Sequence, residues 1–216
     1  MTKIDRSKIL YNKKMLGDEQ VLAIQQHYLA YPKELSRQIS NTSLKEIKNK
    51  GLYMHHYDAE HNPTVTQVCL GIILFNSKGT KVMTIEHQNK EKSVILTFHA
   101  DEPGKTEVQS LSTTVEKHVN KYYDLSWINA PTLWGMYNDA QPHGNAHIYL
   151  LYFANVKNVK PIKKNHYFLW SGYTDCVKHI TDFNNMSKSV IDHYYLRRTF
   201  YDTNPKKRRH SDAISA

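Results

Sequence analysis

The sequence predicts an α/β fold on a mixed sheet, with a helical N-terminal extension and a basic C-terminal tail. Three observations carry this. Short apolar runs rich in β-formers (Val65 to Phe75, Lys81 to Glu86, Val94 to Phe98, Ala146 to Ala154) alternate with segments of helical periodicity. After a Glu102-Pro103-Gly104 turn, Val108, Leu111, Val115 and Val119 recur at the spacing that buries one face of a helix. Hydrophobic residues make up 40% of the 216, enough for a packed core in one domain with extensions.

In chain order, residues 18–50 place Val21, Ile24, Leu29, Leu35, Leu44 and Ile47 at helical spacing, with Pro32 breaking the run. Residues 51–64, holding His55, His56, His61 and Pro63, read as a linker. Without a carboxylate or cysteine at ligand spacing, these histidines predict solvent- or RNA-facing side chains and no metal site. Val65 to Phe75 is the first strand of the domain proper. Asn76-Ser-Lys-Gly79 is a hairpin turn, and Lys81 to Glu86 returns as the second strand. Val94 to Phe98 is a third strand, leading through the Glu102-Pro103-Gly104 turn to a helix capped by Thr106, with Gln109 completing a capping box.

Trp127 to Tyr137 is aromatic and extended, and residues 138–144 form a loop. Ala146 to Ala154 is a buried strand, followed by a basic loop from Lys157 to Lys164 that contains Pro161. Tyr167 to Trp170 is a last short strand entering a helix over Tyr173 to Ile180, and a final helix spans Ser187 to Tyr201. The expected division is an extension and linker over 1–64, the domain over 65–203 and the tail over 204–216.

Charge narrows the partners. Lys and Arg number 29 against 20 Asp and Glu, a formal net charge of +9, which points to a polyanion such as RNA. The sharpest cluster is Lys206, Lys207, Arg208 and Arg209 in the tail, readable as a nuclear localisation signal or as phosphate neutralisation. Arg197 and Arg198 on the last helix extend it. Lys157, Lys160, Lys163 and Lys164 form a second candidate RNA contact. Cys69 and Cys176 lie inside predicted elements without C-x-x-C spacing, which fits buried thiols in a reduced compartment. No apolar run approaches the roughly 20 residues that span a bilayer, so no membrane partner is expected. Residues 1–14 lack a secretory apolar region and carry Lys3, Arg6, Lys8, Lys13 and Lys14 against Asp5 alone. That is compatible with a mitochondrial presequence or a basic RNA-touching tail.

The strand, Glu102-Pro103-Gly104 turn and helix resemble the Nudix box, and the element order resembles the α/β/α sandwich of that superfamily over residues 65–203. Nudix enzymes hold Mg²⁺ against a diphosphate with a glutamate after the turn and an Arg-Glu-x-x-Glu-Glu run on the helix. Here Lys105 follows Gly104, and the three helical glutamates correspond to Thr114, Lys117 and His118. Glu116 falls between the ligand positions. Mg²⁺ wants hard oxygen ligands and compensating charge, so the resemblance implies a kept scaffold without hydrolase chemistry. No catalytic residue, metal, cofactor or small-molecule substrate is therefore expected. An acid–base site rebuilt from Asp101, Glu102 and Glu116 would place its carboxylates on the loop and off the ligand face.

Within the superfamily, the chain resembles the catalytically inactive Nudix-fold branch of the mitochondrial ribosome's large subunit. The similarity rests on the helical extension, the Pro-Gly turn without its glutamates, and three segments: Asn129-Ala-Pro131, Gly144 to Phe153 and Asn165 to Trp170. Lys105 departs from that branch, which often keeps a glutamate there, and this chain is shorter. The resemblance implies a structural ribonucleoprotein component in mitochondria, contacting rRNA and neighbouring ribosomal proteins. A nuclear RNA-binding adaptor of mRNA 3′ processing with an inactive Nudix fold, and a divergent Nudix hydrolase, remain the alternatives.

Overall fold

The computed structural model describes residues 20–28, 35–36, 41–87, 89–100, 111–139, 147–163 and 166–202, with backbone alone at 36, 41, 42 and 194–202. Its centre is strand β4 (Val65–Phe75), every residue of which is buried. A strand covered on both faces reads as a near-continuous apolar run, and from Val68 to Phe75 the strand is one, with Thr66 and Gln67 buried before it. The hairpin forms as expected. Asn76 Oδ1 accepts the N–H groups of Thr80 and Lys81 at 2.9 and 3.1 Å, and Gly79 takes φ +64°, which a side chain would disfavour. Strand β5 (Lys81–Glu86) returns to pair with β11 (Phe168–Gly172) at one edge.

The other side of β4 pairs in parallel with β10 (His147–Pro161), from Gln67↔His147 to Phe75↔Asn155. Strand β10 then pairs antiparallel with β9 (Thr132–Asp139), so the sheet is mixed, in the order β11-β5-β4-β10-β9-β2. β2 is the two-residue strand Leu35–Ser36. Strands β6 (Lys92–Ser93) and β8 (Tyr123–Trp127) pair with β5 and β10 respectively. Gly71 fits only because it lacks a Cβ, which would meet Leu151 Cδ2 at 2.7 Å and Ile95 Cγ2 at 2.9 Å.

Two apolar layers sandwich the sheet. On one face Leu70, Ile72, Leu74, Ile148 and Leu150 pack against Leu111, Val115 and Val119 of helix α3 (Leu111–Tyr122), as the periodicity requires. On the other, Ile73, Phe75 and Leu151 meet Cys176 of helix α4 (Tyr173–Lys178) and Val190 and Ile191 of helix α5 (Asn185–Asp202). The turn of residues 102–104 and the Thr106 cap lie outside the described residues.

Five sequence expectations are corrected. Residues 20–25 form strand β1, not a helix. Val21 and Ala23 pack on Ala59 while Leu22 and Ile24 face the main core, so the strand is covered on both sides and loses the alternation that marks a strand. The helical expectation holds for α1 (Asn41–Lys50). Residues 52–61, read as linker, form strand β3 (Leu52–His55) and helix α2 (His56–His61), and β3 pairs with β1. Strand β1 in turn pairs with the start of β4, end to end with strand β7 (Leu96–His99), and the Leu22 N–H donates to Ala100 O across the joint.

The expected aromatic stretch Trp127 to Tyr137 is interrupted between β8 and β9, where Asn129 Oδ1 accepts the Asn155 N–H at 2.9 Å; Asn138 and Asp139 belong to β9 rather than to a loop. Lys157 and Lys160, placed in a loop by the sequence, lie in β10. The segment pairs with β8, and Val156 and Val159 pack on the core, which keeps it extended.

Candidate functional site

Helix α3 occupies the place of the Nudix helix, after β7. Thr114 is 3% exposed and His118 6%, so both sit on the buried face with Leu111 and Val115. The reason is spacing: 111, 114, 115 and 118 are one or two steps apart in the i+3/i+4 pattern and share a face. The His118 ring lies flat on Phe98 of β7, centroids 4.9 Å apart and planes 10° from parallel. Lys117 is exposed and Glu116 half-buried.

The positions the resemblance assigns to Mg²⁺ ligands thus hold a buried hydroxyl, a solvent-facing lysine and a stacked imidazole. They do not fit a hard cation that needs several carboxylate oxygens. Among the described residues no group of three or more His, Cys, Asp or Glu is arranged to hold a metal. Asp101, Glu102 and Lys105 lie outside the described residues.

A polar cluster at one end of the sheet went unread in the sequence. His56 Nε2 lies 3.5 Å from Glu60 Oε2, which accepts from Gln67 Nε2 at 3.0 Å. The His56 and His99 rings are 4.5 Å apart, and His99 Nδ1 is 3.9 Å from Cys69 Sγ. Burial first, then the Glu60 and Asp139 carboxylates, push the Cys69 thiol up to about 12. It stays protonated near neutrality and is no nucleophile. The signal was present, because Glu60 stands four residues after His56, but that spacing means a contact only once residues 56–61 are known to be helical.

The basic candidates separate. Lys157 and Lys160 are exposed on β10, paired with Ser126 and Asp124 of β8. Between them the register shifts and Asn158 takes φ +56°, a bulge that adds one residue. Ser126 and Asp124 are two residues apart on one strand and share a face, so their partners Lys157 and Lys160 do too. Without the bulge the two lysines would point to opposite faces. Lys163 is exposed beyond the end of the strand. The ribbon therefore presents lysines away from the core, with Asp124 as a neighbouring counter-charge. Arg197 and Arg198 lie on α5 at positions whose side chains are outside the described residues, as are Lys164, Lys206, Lys207, Arg208 and Arg209.

No family model matches the chain, and no curated protein is similar to it at a significant level. Solved structures do match. The chain is similar to Tm1382, provisionally described as a Nudix hydrolase, at 18% identity and a TM-score of 0.70, with 82% of this chain and 98% of that chain covered. It is also similar to the E. coli dihydroneopterin triphosphate pyrophosphohydrolase (10% identity, TM-score 0.37, 63% of this chain and 97% of that). A C. elegans Ap4A hydrolase gives 11% identity and a TM-score of 0.38 over 61% of this chain and 97% of that. The first overlay spans nearly all of its protein, and it agrees with the mixed sheet, the helices on both faces and the β7–α3 order found here. The chain has the Nudix fold.

Proposed function

We propose that this chain is a non-catalytic Nudix-fold protein that binds RNA as a structural component of a ribonucleoprotein. The observation that carries the non-catalytic half is the burial of Thr114 and His118 on the packing face of α3. A helix that uses those positions for its core contact cannot also turn them outward to collect a cation and a diphosphate. The RNA half is supported by the net charge of +9 and by Lys157 and Lys160 exposed on one ribbon with Lys163 exposed just past its end. Lysine acts there as a point charge on phosphate, so binding is sequence-tolerant and salt-sensitive.

The particle is assigned by sequence resemblance to the large subunit of the mitochondrial ribosome, where the protein would touch rRNA and neighbouring proteins. Nuclear mRNA 3′ processing is the alternative home. Sucrose-gradient sedimentation of fractionated extracts tests this: co-migration with large ribosomal subunits is the expected result, and a protein that stays at the top of the gradient overturns it. In RNA titrations, replacing Lys157, Lys160 and Lys163 with alanine should lower the log–log salt slope by roughly two units, at about 0.7 per phosphate on a single strand.

A divergent hydrolase is the second reading, favoured by the fold shared with Tm1382. A panel of diphosphate-linked nucleosides with Mg²⁺ or Mn²⁺ decides it. Turnover above background that disappears on Glu116→Gln would overturn the non-catalytic reading.

A further inference from the structure

The end of the β8–β10 ribbon sorts its aromatic residues in two directions. Tyr123 is 4% exposed and meets Phe168 edge-on at 5.7 Å inside the core. Its neighbour Tyr122 is 39% exposed, and Tyr167, next to Phe168, is 76% exposed. Tyr122 is fixed to the ribbon, because its carbonyl accepts the Ile162 N–H at 2.9 Å, between Lys160 and Lys163 in sequence. His166 supports its ring from the side, centroids 5.1 Å apart and planes at 68°. Ile162, 53% exposed, adds apolar surface between the lysines. Positive charge and outward rings therefore occur together at one corner of the molecule.

We propose that Tyr122 and Tyr167 form a stacking platform for unpaired nucleobases, so that the RNA held at this corner is single-stranded. The inference rests on the RNA reading above and adds the form of the RNA. Lysines alone would serve a duplex equally well, since a duplex offers phosphates on its outside. Its base faces are occupied by stacking on one another, so exposed rings gain nothing from it. A single strand offers both phosphates and free base faces, and a lysine ribbon beside tyrosines matches both.

The experiment titrates the full chain with a labelled oligoadenylate and with an RNA hairpin of equal charge whose loop is a linker without bases, across a salt series. The variants are Tyr122→Ala with Tyr167→Ala, the corresponding pair of phenylalanine changes, and Lys157→Ala with Lys160→Ala. The expected result is that the alanine pair weakens oligoadenylate binding on the order of tenfold per ring. The salt slope and hairpin affinity stay unchanged, and the phenylalanine pair binds like the unaltered protein. The lysine pair should instead flatten the slope for both RNAs. Oligoadenylate binding unaffected by the alanine pair, or an equal loss for oligoadenylate and hairpin, overturns the platform while leaving the RNA reading standing. If the unaltered protein binds neither RNA at low salt, the RNA reading fails and the platform falls with it.

Discussion

Replacing His118 with the glutamate that a Nudix helix carries there should cripple the fold rather than restore a metal site. His118 is 6% exposed and stacked on Phe98 at 4.9 Å. Losing that stack costs about 0.5–1.5 kcal/mol. Burying the carboxyl costs more. Buried glutamates titrate as high as about 8–9 against about 4.3 unfolded, and each tenfold change in proton affinity is worth about 1.4 kcal/mol. Keeping the group protonated in the fold at pH 7 therefore costs about 3–4 kcal/mol, and the total is about 4–5 kcal/mol, a large share of a typical domain's stability. The sign follows from the direction in which burial moves the carboxyl. The folded value is raised, so the penalty is small below about pH 4.3, where the unfolded chain also holds the proton, and it grows as pH rises towards the folded value. The reference is His118→Phe, which keeps the stack and has no titration of its own. Urea unfolding of both variants by tryptophan fluorescence, between pH 4.5 and 7 and with or without Mg²⁺, measures the difference. A glutamate variant within about 1 kcal/mol of the phenylalanine variant at pH 7, or one stabilised by Mg²⁺, would refute the claim that this position belongs to the core.

Three further outcomes are expected. Ser187→Ala should destabilise by about 1–3 kcal/mol in urea. Ser187 Oγ accepts the buried Val94 N–H at 3.1 Å, and its loss would leave that donor without its partner, whereas Ser187→Thr should recover part of the loss. Alkali should unfold the protein between about pH 9 and 12. Burial raises Cys69, Tyr123 and Tyr152 to about 12 and Cys176 to about 11, above ordinary values of 9.0 and 10.0, so the stability they contribute is intact below the unfolded values and lost as pH climbs through the folded ones. Circular dichroism against pH, with thiol alkylation at pH 8 as a check, should show both cysteines inert until the chain unfolds. Replacing Lys206, Lys207, Arg208 and Arg209 together with alanine should flatten the salt slope for RNA by roughly three units if all four neutralise phosphates; an unchanged slope would place the contact on Lys157, Lys160 and Lys163.

How far the sequence could be read depended on whether each element kept its own period. The hairpin of β4 and β5 was legible because its run of eleven buried residues is bounded by Asn76 and Gly79. Helix α3 was legible because Leu111, Val115 and Val119 recur at the helical spacing. Strand β1 was not. Val21 to Ile24 is buried on both faces, and four consecutive apolar residues fit a strand or a helix equally well. Lys157 to Lys160 read as a loop because the bulge at Asn158 breaks the alternation that would have shown a strand. The polar cluster around Cys69 was illegible for another reason. Its members come from α2, β4, β7 and β9, and only the pairing of those strands brings them together.

One geometric conflict ties the helix to the ribbon. A metal-binding helix must divide its circumference, giving one stripe to the sheet and an adjacent stripe to the ligands. In α3 the buried set of Leu111, Thr114, Val115, His118 and Val119 is broad enough to cover positions that the family gives to the cation. Packing and metal binding cannot both use them, and here packing does. Strand β10 is under no such constraint. Its pairing with β4 ends at Asn155, and the following residues pair only with β8, leaving one face of that extension outside the main core. Val156 and Val159 hold the extension down, and the bulge between Lys157 and Lys160 turns both lysines outward. Deleting Asn158 would remove the extra residue, leaving Lys160 two residues after Lys157 on a regular strand and therefore on the same face. The deletion variant should keep both phosphate partners and the salt slope of the unaltered protein, with helix α3 and its packing as they are. A flattened slope in that variant would show that the shape of the bulge, and not the shared facing of the two lysines, serves the contact.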